Sequence, residues 1–90
     1  MKDLQDILYK VELVEVDGQL NRSINEVHFD SRKVGENDLF VAIKGEVADG
    51  HDFITKAIAQ GASVIVCENK PEKATAGATI IVVKNASRSL

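Results

Sequence analysis

Two uninterrupted apolar runs constrain this chain more than any other feature. Leu39-Phe40-Val41-Ala42-Ile43 lies between Asp38 and Gly45, and Val64-Ile65-Val66-Cys67 follows further on. A run without polar alternation reads as a strand covered on both faces. Between the two, Phe53, Ile54, Ala57 and Ile58 fall at helical spacing, and Gly61 stands where a left-handed helix cap is expected. Strand, helix, strand with both strands fully apolar predicts a right-handed parallel βαβ crossover. Ile80-Ile81-Val82-Val83 predicts a further buried strand, and Glu68 to Ala78, with Pro71 and Gly77, reads as a loop. The expected fold class is α/β: a small mixed, mainly parallel sheet flanked by helices.

The rest of the chain is less uniform. Leu4, Ile7, Leu8 and Val11 recur at helical spacing, so Asp3 to Tyr9 is expected to be a short helix capped by Asp3, with Lys10 at its negative end. Val11 to Val16 reads as a strand closed by the turn pair Asp17-Gly18, and Ile24 to Phe29 as one strand with Glu26 and His28 on its polar face. Asn85 to Leu90 amounts to the first turn of another helix, which does not hold by itself. Ninety residues support one domain at most. The expectation is a single domain, 1–90, cut from a longer chain.

Composition excludes several functions. Eleven basic against fourteen acidic side chains give a net charge of −3, which argues against nucleic acid as a partner. With 4% aromatic residues and no Trp, a base-stacking platform is not expected. One Cys cannot close an internal disulfide, and one Cys with two His cannot build a four-ligand zinc site, so no metal is expected here. No apolar run approaches the roughly 20 residues of a membrane helix, and Met1-Lys2-Asp3-Leu4 does not begin a secretory signal. A cytoplasmic location without membrane contact follows as the expectation. Cys67, inside an apolar run, reads as a small core residue.

Gly45 and Gly50 carry the spacing of a phosphate-binding P-loop, but His51 and Asp52 occupy the places of its Lys and its Ser or Thr. An ATP site here is rejected on that ground, and no Gly-x-Gly-x-x-Gly is present. Asp30-Ser31-Arg32-Lys33 follows a strand, at the edge where open α/β sheets bind ligands. Ser31 can hydrogen-bond there, Arg32 offers a fork suited to phosphate, and Lys44 ends the next strand, so these cations could form a local anion site. The same residues also make an ordinary polar turn capped by Asp30, which spacing alone favours. Asp49 and Asp52 have capping-box spacing at the start of the central helix. His51, without a Ser or Cys partner, reads as structural, and His28 is a weaker candidate still. Glu12 and Glu15 do not form a convincing acid–base pair.

One combination of these segments is more specific than its parts. Phe29-Asp30-Ser31-Arg32-Lys33-Val34, then Asp38 to Gly45, then Asp49-Gly50-His51-Asp52-Phe53-Ile54, closely resembles the N-terminal domain of the Mur ligases. Ala57-Ile58, Gly61-Ala62, Val64 to Val66 and Val83-Lys84-Asn85 continue the likeness. It is most similar to members that add the third residue, meso-diaminopimelate or L-lysine, to UDP-N-acetylmuramoyl-L-alanyl-D-glutamate. The members that add D-alanyl-D-alanine come second, and a stand-alone α/β interaction module is the remaining alternative.

The resemblance implies a cytoplasmic, ATP- and magnesium-dependent, amide-forming ligase of peptidoglycan synthesis, tied to cell-wall assembly, cell shape and division. It further implies that this domain holds the UDP end of the UDP-N-acetylmuramoyl-dipeptide, while central and C-terminal domains of the same chain bind ATP and the incoming amino acid. Catalytic residues and cofactors would lie outside the 90 residues, leaving this piece inactive alone. By motif position, Phe29, Ser31, Glu46, Val47 and Ala48 would contact the UDP-sugar. Arg32 and Lys44 remain the phosphate contacts suggested by the residues themselves. The acidic Glu46 departs from what an anionic ligand favours, so backbone N–H groups are expected to bind in that loop.

Overall fold

β5 (Leu39–Val41), β6 (Val64–Cys67) and β7 (Thr79–Val83) form the parallel centre of the sheet in a computed structural model, which describes residues 2–7, 13–19, 21–42, 53–69 and 77–84. Before them come β1 (Lys2–Asp3), α1 (Leu4–Ile7), β2 (Leu13–Asp17), β3 (Ser23–Ile24), β4 (Val27–His28) and a 3-10 turn (Ser31–Lys33). The helix α2 (Ile54–Ala59) lies between β5 and β6. The five-stranded sheet runs β2-β7-β6-β5-β4, with β2 antiparallel to β7 and every other neighbour parallel. β1 and β3 make a separate antiparallel pair.

The absence of alternation in the sequence has the expected cause: every residue of β5, β6 and β7 is buried. Period-two geometry divides their side chains between two layers. Leu39, Val41, Val64, Val66, Ile81 and Val83 pack with Leu4 of α1 and Ile24 of β3. Phe40, Ile65, Cys67, Ile80 and Val82 pack with Ile54 and Ala57 of α2 and with Val34. Burying each large aliphatic side chain stabilises the fold by about 1.5–3 kcal/mol.

The expected parallel crossover β5-α2-β6 is present, and Gly61 closes α2 at φ +117°. The expected strand Ile24 to Phe29 is corrected: it is divided between two sheets. The Asn25 N–H donates to the Asn37 carbonyl at 2.9 Å and the Glu26 N–H to Asp38 Oδ1 at 3.1 Å. With those donors taken by a neighbouring turn, the ladder cannot run through. At the N-terminus Asp3 Oδ1 accepts from the Gln5 N–H at 2.9 Å, as a cap should, although Asp3 itself belongs to β1. The structure starts α2 at Ile54, with Phe53 in the N-cap position and no side-chain cap. Asp49 and Asp52, the proposed capping pair, lie outside the described residues, as do Leu8 to Glu12, Ile43, His51, Pro71 and Asn85 to Leu90.

Candidate substrate edge and the Asp38 clamp

The parallel strands point their C-terminal ends at the segment that leaves β4. Phe29 is the first residue past the strand and is 52% exposed. Asp30 caps the 3-10 turn, its Oδ1 accepting from the Arg32 N–H at 2.9 Å. Ser31 is buried beneath that turn at 6% exposure. Gln60, at the C-terminal end of α2, donates its side-chain amide to the Ser31 carbonyl and, at 3.3 Å, to that of Val34. The C-terminal end of α2, which leads into β6, therefore holds the turn.

Arg32 is already engaged. Its Nε donates to Asp30 Oδ1 at 3.1 Å and its Nη2 to Oδ2 at 2.9 Å, a forked ion pair on the surface. As a phosphate contact it would have to exchange Asp30 for the ligand. Lys44, Glu46, Val47 and Ala48 lie outside the described residues. The structure thus brings Phe29, Ser31 and Arg32 to one strand end.

The Arg32 side chain, and after it the Arg32 backbone N–H, hold the Asp30 carboxyl at about 2, below its ordinary 3.8. A carboxyl depressed by folding favours the folded turn above its ordinary pKa, and that contribution disappears as pH falls through the lowered value. The Arg32 amide resonance is therefore expected to titrate with a midpoint near 2. A midpoint at the ordinary carboxylate value would show that the fork does not hold in solution. Burial pushes the Cys67 thiol up to about 11, which keeps it protonated and agrees with its reading as a core residue.

A second cluster, which sequence reasoning missed, stands where β4 and β5 begin. Asp38 is buried at 4% exposure. Its Oδ1 accepts from the Glu26 N–H at 3.1 Å and its Oδ2 from the Gly35 N–H at 2.8 Å. His28 Nε2 lies 3.3 Å from Asp38 Oδ2 and 3.0 Å from Glu26 Oε2. The alternation Glu26-Val27-His28 placed both polar side chains on one strand face, but Asp38 had been read only as the border of an apolar run. These ligand-type atoms lie within 4.8 Å of one another. The donor set does not fit magnesium, which prefers oxygen ligands, and both Asp38 oxygens already accept backbone N–H groups. Asp38 is a clamp that joins β4 to β5.

The residues after Gly45 do not fit ATP either, because His51 and Asp52 replace the lysine and hydroxyl that phosphates and magnesium require.

With this geometry, comparison with known proteins is informative. Residues 23–90 match the family model described as "Mur ligase family, catalytic domain". A UDP-N-acetylmuramoyl-L-alanyl-D-glutamate–2,6-diaminopimelate ligase of Cytophaga hutchinsonii is 42% identical over 88 residues, which is 97% of this chain and 18% of that protein. The structure of MurF from Acinetobacter baumannii superposes with a TM-score of 0.74 at 26% identity, over 97% of this chain and 18% of the other. A MurF ligase from Thermotoga maritima, solved with ADP, gives 0.61 at 37% identity over 69% of this chain and 14% of its own. The chain belongs to the Mur ligase family. It spans about a fifth of the length of these relatives.

Proposed function

We propose that these 90 residues are the substrate-holding domain of an ATP-dependent ligase that adds the third residue of the peptidoglycan peptide to UDP-N-acetylmuramoyl-L-alanyl-D-glutamate. Identity of 42% to diaminopimelate ligases of several organisms, over 91–97% of the chain, supports that choice over the D-alanyl-D-alanine-adding type. Diaminopimelate is the added residue that these relatives' names support. The setting is the cytoplasm, and among the described residues no helix is long and apolar enough to cross a membrane.

What supports the reading is that Phe29 directly follows β4, a strand parallel to β5, at the edge where open α/β sheets bind ligands, with Ser31 two residues on. There the half-exposed Phe29 ring offers an apolar surface to the uracil. Ser31 offers a hydrogen-bonding group, the motif positions Glu46, Val47 and Ala48 would contact the UDP-sugar through backbone N–H groups, and Arg32 and Lys44 would meet the diphosphate. The work of such a domain is positioning. Gripping the remote UDP end fixes where the reacting carboxylate stands, and binding energy gained far from the reaction lowers the barrier in that way. ATP, magnesium and the incoming amino acid would be held by other domains, so the 90 residues alone are expected to lack ligase activity.

Ser31→Ala removes one hydrogen-bonding group with little change in volume. Its affinity for UDP by titration calorimetry is expected to fall roughly two- to twelve-fold, the range for one net hydrogen bond. Unchanged affinity would remove Ser31 from the site.

A further inference from the structure

At the opposite end of the sheet, Arg22, Ser23, Asn37 and Ser63 line a cavity of about 250 Å³. Asn37 and Ser63 lie just before β5 and β6, and Gly77, which holds Arg22, just before β7, so the cavity belongs to the N-terminal edge. Phe29, directly after the end of β4, stands at the other edge. The β1–β3 ribbon brings Arg22 and Ser23 under this end through the Leu4 N–H bond to the Arg22 carbonyl, 2.9 Å.

Two polar atoms here lack what buried polar atoms normally have. Arg22 Nε and Ser63 Oγ are buried without a hydrogen-bond partner among the described residues. Orphaned polar atoms of this kind are uncommon in native structures. Arg22 Nη2 donates to the Gly77 carbonyl at 3.0 Å, which anchors the guanidinium without neutralising it. Among the described residues no carboxylate pairs with Arg22. Asn37 is held at the rim by both of its backbone groups: its N–H donates to the Gly61 carbonyl and its carbonyl accepts from the Asn25 N–H, each at 2.9 Å.

A guanidinium, two hydroxyls and a carboxamide around one space are donors for an oxyanion. The volume lies below the roughly 300–1,000 Å³ of drug-sized sites. It suits a single phosphate-sized group with its waters. We propose that the cavity between Arg22, Ser23, Asn37 and Ser63 binds a small oxyanion of the phosphate class, at a site separate from the substrate edge.

Backbone-amide NMR with inorganic phosphate tests this, against sodium chloride at matched ionic strength and against acetate. Saturable shifts are expected at Arg22, Ser23, Asn37 and Ser63, with Phe29 to Ser31 unmoved. Arg22→Lys keeps the charge but loses Nε and the fork, and is expected to weaken phosphate binding about ten-fold or more. Should that variant fail to fold, Ser63→Ala carries the test, with a weakening of roughly two-fold or more. Absence of saturable shifts, identical shifts with chloride, or undiminished binding by the variant that folds would each overturn the proposal. Tighter binding of acetate than of phosphate would also overturn it, and would assign the cavity to a carboxylate.

Discussion

Gly61→Ala is expected to lower the melting temperature by roughly 12–24 °C, the equivalent of about 3 kcal/mol in a domain of this size. Two penalties combine. Gly61 has φ +117°, a conformation that costs a residue with a side chain about 1–3 kcal/mol. A Cβ built there would also stand 2.7 Å from Glu36 Cα and 2.9 Å from Glu36 N, both backbone atoms that no rotamer change can move. The neighbouring turn is held on the same residue, because the Asn37 N–H donates to the Gly61 carbonyl at 2.9 Å. Moving Glu36 away therefore loosens the entry to β5. A domain of this length has about 5–13 kcal/mol of stability in total, so the loss is a large share. Thermal unfolding followed by circular dichroism measures it, and a melting temperature within a few degrees of the parent would contradict the account.

Asp38→Ala is expected to cost about 2–4 kcal/mol, because it orphans two backbone donors in one step and leaves His28 with Glu26 alone. The Glu26 and Gly35 N–H groups and His28 Nε2 all meet this one buried carboxylate. Glu26→Gln provides the contrast. It also alters a contact to His28, but the Glu26 side chain is 63% exposed, and exposed ion pairs contribute about 0–1 kcal/mol. Urea unfolding of the two variants should therefore show a large loss for Asp38→Ala and a small one for Glu26→Gln. Equal losses would mean that Asp38 is not the clamp between β4 and β5.

These two residues also show what could be read in the chain beforehand. β5, β6 and β7 were legible because burial on both faces leaves a local trace, the loss of alternation. Gly61 was legible because a helix end with a left-handed residue favours glycine at that one place. The break at Asn25–Glu26 was not, since Val27 and Phe29 alternate with polar neighbours whether or not the strand continues. The break is made by the Asn37 carbonyl and the Asp38 carboxylate, more than ten residues away in the chain. That Phe29 directly follows a parallel strand was legible, and so was the Asp30 cap of the turn after it. The Arg32 fork onto Asp30 was not, because a surface turn and an anion site use the same residue types. Arg22 and Ser63 had no local pattern at all. Only the assembled sheet brings them to one cavity.

The central claim is that the C-terminal edge of this sheet holds the uridine diphosphate end of the substrate. The direct measurement is an amide NMR titration of the 90-residue chain with UDP and with UDP-N-acetylmuramic acid. Saturable shifts at residues 29–32 and 45–50 are the expected result. No perturbation of those amides at millimolar ligand, or shifts confined to the opposite edge, would contradict it.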